Sequence, residues 1–168
     1  EMGNLWYNEP KTLDTAFDVI GDIVLSAASQ QYGGFTVPSV DEILEPYAEK
    51  SHKKLIEKYR ALGLDEEVVQ KIAWSDLEKE MEQGFQGWEY KFNSVSSSRG
   101  DYPFITVTAG TRTSIYGKLA TIKMLEVRKN GQGKEGHKKP VLFPKIVFLY
   151  DENLHGPGKP LEDVFEAG

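Results

Sequence analysis

From Asn93 to Thr108 the chain reads NSVSSSRGDYPFITVT. Ser96, Ser97 and Ser98 are followed by Arg99 and Gly100, then by Asp101 and Pro103. Serine hydroxyls donate and accept hydrogen bonds, and a guanidinium offers a planar fork that suits phosphate or carboxylate. The run is poor core material, and the chemistry it supports is the binding of an anion or a sugar. Arg99 either contacts a phosphate or pairs with a carboxylate such as Asp101. Beyond Pro103, Phe104-Ile105-Thr106-Val107-Thr108 alternates, so Thr106 and Thr108 give a strand one polar, uncharged face. That face belongs either to an edge strand turned to water or to a barrel strand pointing hydroxyls into a cavity.

Other polar groupings are weaker. Gln30-Gln31-Tyr32-Gly33-Gly34 ends an amphipathic run, and paired glycines either terminate a helix or let a backbone come close to a ligand. Lys50, His52, Lys53 and Lys54 form a basic cluster that reads as a solvated helix face, with a phosphate contact as the alternative. Arg128–Lys139, RKNGQGKEGHKK, is a basic loop without the G-x-x-x-x-G-K-[ST] spacing of a phosphate-binding loop. His137 within it has no partner at metal-ligand spacing. The chain has no cysteine, which excludes disulfides and thiolate metal sites. No Ser/His/Asp constellation stands out. Arg99-Gly100-Asp101 spells an integrin-binding tripeptide, but nothing else here points outside the cell.

The 168 residues suffice for one domain of ordinary size, read as a single partial domain over 1–168. With 39% hydrophobic and 27% charged residues the composition is that of a globular protein. The net charge of −6 argues against a non-specific nucleic-acid partner. No apolar run approaches the ~20 residues of a membrane span and no signal peptide is visible, so no membrane partner and a cytoplasmic location are expected.

Three parts position these residues: an irregular arm over 1–11, a helical part over 12–95 and a strand–helix–strand part over 96–168. Thr12 caps a first helix carrying Leu13, Ala16, Phe17, Ile20, Ile23, Val24, Ala27 and Ala28 at helical spacing. Ser39 and Glu42 have the spacing of a capping box before a second helix. Pro46 should kink or interrupt its first turns, and Gly63 ends it. Asp65 opens a third helix with Val68, Val69 and Ile72 inward. The pattern loosens at Trp74-Ser75-Asp76, where a new helix with Ser75 as cap carries Leu77, Met81, Phe85, Trp88 and Phe92. Gly84 and Gly87 bracket Phe85 and suggest a close approach by another element. Gln83, Gln86 and Tyr90 share one side. Strands are expected over about 103–109 and 141–150. Between them lies a helix capped by Ser114, with Ile115, Leu119, Ile122 and Leu125 buried. Val141–Tyr150, nearly all apolar, reads as a parallel strand buried on both faces, although Pro144 argues against a fully regular ladder. Residues 151–160 read as loop and 161–167 as a last helix. The fold class is α/β and helix-rich.

The chain resembles the anaerobic (class III) ribonucleoside-triphosphate reductases, the glycyl-radical family. Its Q-x-x-Q-x-x-x-Y-x-x-N helix, small-residue turn and G-x-x-P-F strand read here as Gln83, Gln86, Tyr90, Asn93, Gly100, Pro103 and Phe104. Ser29–Gly34 followed by Asp41 and Leu44-Glu45-Pro46-Tyr47, and Phe143–Phe148, agree in order. The resemblance implies part of a ten-stranded α/β barrel within a longer enzyme that makes deoxyribonucleotides for DNA replication. It implies ribonucleoside triphosphates as substrates, dNTP and ATP effectors, a homodimer formed near the first helix, and a radical-SAM activase as partner. It also implies a glycyl radical and a structural zinc in regions not represented here, and a thiyl-radical cysteine beyond Gly168. No catalytic residue, cofactor or metal ligand is therefore expected within these residues, and the isolated segment should be inactive. Carried over by position, the nucleotide-facing candidates are Ser96, Ser97, Ser98, Arg99, Gly100, Thr106 and Thr108, with Gln30, Gln31, Tyr32, Gly33 and Gly34 second. The alternative is a non-catalytic structural or oligomerisation module derived from that family.

Overall fold

The computed structural model describes residues 9–31, 33–94, 104–131, 133, 135–137 and 144–168. In chain order these form α1 (Leu13–Ser29), β1 (Phe35–Val37), α2 (Val40–Ala61), α3 (Glu66–Ser94), β2 (Ile105–Ala109), α4 (Ile115–Asn130), β3 (Lys145–Phe148), α5 (Glu152–His155) and α6 (Glu162–Ala167).

Helix starts follow local chemistry at α1, α4 and α5, where Asp151 accepts from the Asn153 amide at 2.8 Å. Thr12 is extended and its hydroxyl accepts from the Thr15 amide, while the Ser114 hydroxyl accepts from the Gly117 amide at 3.0 Å. The capping box expected at Ser39 does not form: Ser39 sits at φ 47 in the left-handed region and makes no side-chain cap. Its amide is drawn instead to the Thr108 hydroxyl at 2.9 Å, a tertiary bond that overrides the local motif. α2 runs uninterrupted through Pro46. The expected break at Trp74-Ser75-Asp76 is also absent. Ala73 and Leu77 are both fully buried, so the apolar stripe continues through one helix of 29 residues. Val68 and Ile115 point outward rather than inward, at 40% and 58% exposure. Each is adjacent to the buried side of its helix, next to Val69 and one turn before Leu119.

The three strands are parallel in the order β1-β2-β3, with Phe35 opposite Ile105 and Thr106 opposite Lys145. β2 is therefore central, which removes the edge-strand reading of its threonines. The β2–α4–β3 succession is the parallel crossover expected from the sequence. β1, with only three residues, is too short for its alternation to register. β3 spans four residues, and Lys145 and Val147 on it are exposed, so it is not buried on both faces. Residues 141–143 of the expected strand lie outside the described residues. The expected loop over 151–160 contains the short helix α5.

One sheet face joins the helices: Val37, Ile105, Val107 and Ala109 belong to the same core as Phe17, Leu44, Leu77, Phe85, Trp88 and Met124. The centre of that core is aromatic. Phe17 meets Phe85 and Trp88 edge-on with ring centroids 5.0 Å apart in each case. The Trp88 indole N–H donates to the Phe17 carbonyl at 2.7 Å. The close approach expected at Gly84 is present, because a Cβ there would lie 2.2 Å from the Phe17 ring. Gly87 has open space around it.

Candidate functional site

The second face of the sheet is polar and open. By strand alternation Thr36, Thr106, Thr108, Lys145 and Val147 share it. Thr36, Lys145 and Val147 are exposed, and Thr106 and Thr108 are half-buried. Register places Thr36, Thr106 and Lys145 side by side across the three strands. Two hydroxyls and an ammonium in one row form a surface for a ligand carrying both hydroxyls and negative charge. Lys145 Nζ also stands 5.7 Å from the Phe104 ring centre. The Thr108 hydroxyl accepts the Ser39 amide, which leaves its own proton to donate elsewhere.

At the C-terminal ends of the strands the turn after β2 is held from several directions. The fully buried Asp41 carboxylate accepts from the amides of Gly110 and Arg112 at 3.0 and 3.4 Å. Arg112 donates to both carboxylate oxygens of Glu45 at 2.8 and 3.1 Å, and this pairing holds the Glu45 carboxyl below its usual range. On the other side, buried His155 receives the Asp151 amide at Nδ1 (2.9 Å), leaving Nε2 to donate to the Gly110 carbonyl at 2.5 Å. Open α/β sheets bind ligands at this end of their strands.

The sequence candidates divide as follows. Thr106 and Thr108 are on the open face. Gln30, Gln31, Gly33 and Gly34 are exposed where α1 runs into β1. The Phe35 amide there donates to the Phe104 carbonyl at 2.8 Å, so this segment meets the start of β2, at the opposite end of the sheet from Gly110. Ser96, Ser97, Ser98, Arg99, Gly100 and Tyr32 lie outside the described residues. Gln83, Gln86 and Tyr90 are exposed on the outer side of α3.

The lysine cluster on α2 is largely a paired, solvated face. Lys50 bonds Glu9 at 2.7 Å and Lys53 bonds Glu49 at 2.9 Å, beside an open depression of about 690 Å³ lined also by Lys11 and Lys54. His52 does not belong to that face. It is buried against Trp74, with Nδ1 2.8 Å from the Tyr116 hydroxyl, and burial lowers its pKa from 6.5. A lowered imidazole contributes stability that is complete above pH 6.5 and is lost as the pH falls through its depressed folded value. The thermal midpoint should therefore drop on acidification through that window, and His52→Gln should shrink the drop. An equal drop in both proteins would contradict this.

Sequence reasoning missed three features. Asp41 was visible only as a residue following the paired glycines. His155 sat in what read as loop. Buried Glu89 and half-buried Arg128, 39 residues apart, pair at 2.9 Å, which no local pattern reveals.

Among the described residues no three His, Cys, Asp or Glu side chains gather to hold a metal. With no cysteine in the chain, these residues do not fit the zinc implied by the resemblance. No described helix is long and apolar enough to cross a membrane.

The sequence profile of the family described as anaerobic ribonucleoside-triphosphate reductase matches residues 1–167. The chain belongs to this family. Proteins named anaerobic ribonucleoside-triphosphate reductase from Haemophilus influenzae and Escherichia coli are 36% and 33% identical to it, each over 98% of the chain. The protein of that name from Enterobacteria phage T4 is 32% identical over 92% of it. The chain spans 23–25% of the length of these reductases. The helix-rich α/β expectation agrees with the structure, which has a small parallel sheet.

Proposed function

We propose that this chain forms part of the substrate-binding wall of an anaerobic reductase that converts ribonucleoside triphosphates to deoxyribonucleotides. The observation that carries the reading is the one-sided sheet. All-parallel sheets ordinarily have both faces covered, yet here the helices take one face while Thr36, Lys145 and Val147 stay exposed on the other. Helices outside and hydroxyls inside is the arrangement of an α/β barrel wall, so the sheet is read as three strands of the ten-stranded barrel. In that setting Lys145 meets the triphosphate charge, and Thr106 and Thr108 donate to sugar or phosphate oxygens. Ser96–Gly100 lead into β2, and Gln30–Gly34 lead into β1. Both are proposed to contact the nucleotide.

The radical chemistry is proposed to lie outside this segment, where a glycyl radical and a cysteine would supply it with the help of an activating partner. Effector nucleotides, a homodimer through α1 and a zinc site elsewhere in the polypeptide complete the proposal. What these residues contribute is binding and orientation.

Thr106→Val in the full-length protein tests this. It removes a hydroxyl without changing the shape of the side chain. Losing one hydrogen bond to a charged oxygen costs about 1.5 kcal/mol or more, so KM for the ribonucleoside triphosphate should rise roughly tenfold with kcat little changed. An unchanged KM would remove the open face from the site.

A further inference from the structure

We infer that Asp41 is a positioning residue of the nucleotide site, setting the turn after β2 so that the Thr108 hydroxyl and the strand end face the ligand. The inference rests on the nucleotide reading above. Asp41 is fully buried in the first turn of α2. Its Oδ2 accepts from the Gly110 amide at 3.0 Å, the Arg112 amide at 3.4 Å and the Thr121 hydroxyl at 3.4 Å, and its Oδ1 from the Glu42 amide at 3.0 Å. One carboxylate thus ties the start of α2, the turn after β2 and the middle of α4.

The turn has little freedom of its own. Gly110 lies at φ +127, and even a Cβ there would come within 3.0 Å of the Leu149 carbonyl and the Phe148 ring. Two residues before Asp41, Ser39 holds the left-handed φ that lets its amide reach Thr108. The junction between β1 and α2 therefore grips β2 twice, by the Ser39 amide at Thr108 and by the Asp41 carboxylate at Gly110 and Arg112. Loosening the second grip frees the first. A carboxylate is an expensive group to bury when cohesion is all that is required, because an apolar side chain of its size is cheaper to desolvate. What the carboxylate adds is direction: two amides of one turn aimed at one oxygen.

The test uses the full-length protein with Asp41→Asn and, separately, Thr121→Val, which removes one donor and keeps the carboxylate. KM and kcat for a ribonucleoside triphosphate are measured, with the thermal midpoint as a control for folding. KM should rise about tenfold in Asp41→Asn and about two- to threefold in Thr121→Val, with kcat within about twofold of the parent in both. A lowered midpoint with unchanged KM in both variants would overturn the inference, since Asp41 would then only cement the fold. A fall in kcat at constant KM would overturn it equally. If Asp41→Asn does not fold, Thr121→Val decides alone. Thr106→Val separates the two claims. If it raises KM while the Asp41 and Thr121 variants do not, positioning fails and the site stands. If it leaves KM unchanged, the site itself fails and the inference with it.

Discussion

Arg128→Met should destabilise the fold by about 3–5 kcal/mol, because it strands a buried carboxylate. Glu89 is 4% exposed on α3, and its Oε1 accepts from Arg128 Nε at 2.9 Å. Among the described residues its Oε2 has no hydrogen-bond partner. Arg128 also donates to the Pro144 carbonyl, so one guanidinium joins α3, α4 and the start of β3. Burial outweighs the attraction of Arg128 and raises the Glu89 pKa above 4.5. A carboxyl with a raised folded pKa binds its proton more tightly when folded. Its contribution is therefore complete below pH 4.5 and is lost as the pH rises through the raised value. Methionine removes the one influence that lowers that pKa, so the deficit of the variant should grow with pH. Urea unfolding of both proteins at about pH 5 and pH 8 measures this. The larger loss is expected at the higher pH, and equal losses would show that Glu89 escapes its burial by moving to water.

Gly84→Ala should cost about 1–3 kcal/mol, against the ordinary helix preference for alanine over glycine. Its Cβ would come 2.2 to 2.5 Å from three atoms of the Phe17 ring. That ring has nowhere to retreat, since Phe17 is 2% exposed and lies edge-on to both Phe85 and Trp88. Moving it would disturb the Trp88 bond to the Phe17 carbonyl and the whole contact between α1 and α3. Gly87, three residues on, provides the opposite sign. Among the described residues nothing lies within 4 Å of its would-be Cβ, so Gly87→Ala should gain about 0.5–1 kcal/mol from helix propensity alone. Unfolding midpoints of the two variants should fall on opposite sides of the parent. Two stabilised variants would mean that α1 and α3 do not cross as closely as described.

The two glycines also show where sequence reading stops. Both stand in a helical pattern and both suggested a close crossing, but only the partner helix decides which is crowded. α1 and the later half of α3 were legible because their apolar spacing is sustained over several turns. The threonine face was legible too, since Thr106 and Thr108 alternate with Ile105 and Val107. Its place at the centre of the sheet was not, because β1 is three residues long and pairs across 70 positions, Phe35 with Ile105. Ser39 failed for the same kind of reason. A capping box is a local preference worth about 1 kcal/mol, and a tertiary bond to Thr108 displaced it. Asp41, Glu89 and His155 owe their roles to partners 39 to 80 residues away, which no local pattern contains. Family resemblance supplied what physics could not, an order of motifs over nearly the whole chain, and the match over residues 1–167 bears it out.

The central claim is that the open sheet face receives a nucleotide, and Lys145 gives the most direct test. It is exposed on that face, in register with Thr106. We would titrate the full-length protein and its Lys145→Met variant with a ribonucleoside triphosphate by calorimetry, at low and at moderate ionic strength. The account predicts affinity about tenfold weaker in the variant, with a smaller loss on adding salt than the parent shows, because an ammonium–phosphate contact has been removed. Equal affinity and equal salt dependence in the two proteins would contradict it and place the nucleotide elsewhere.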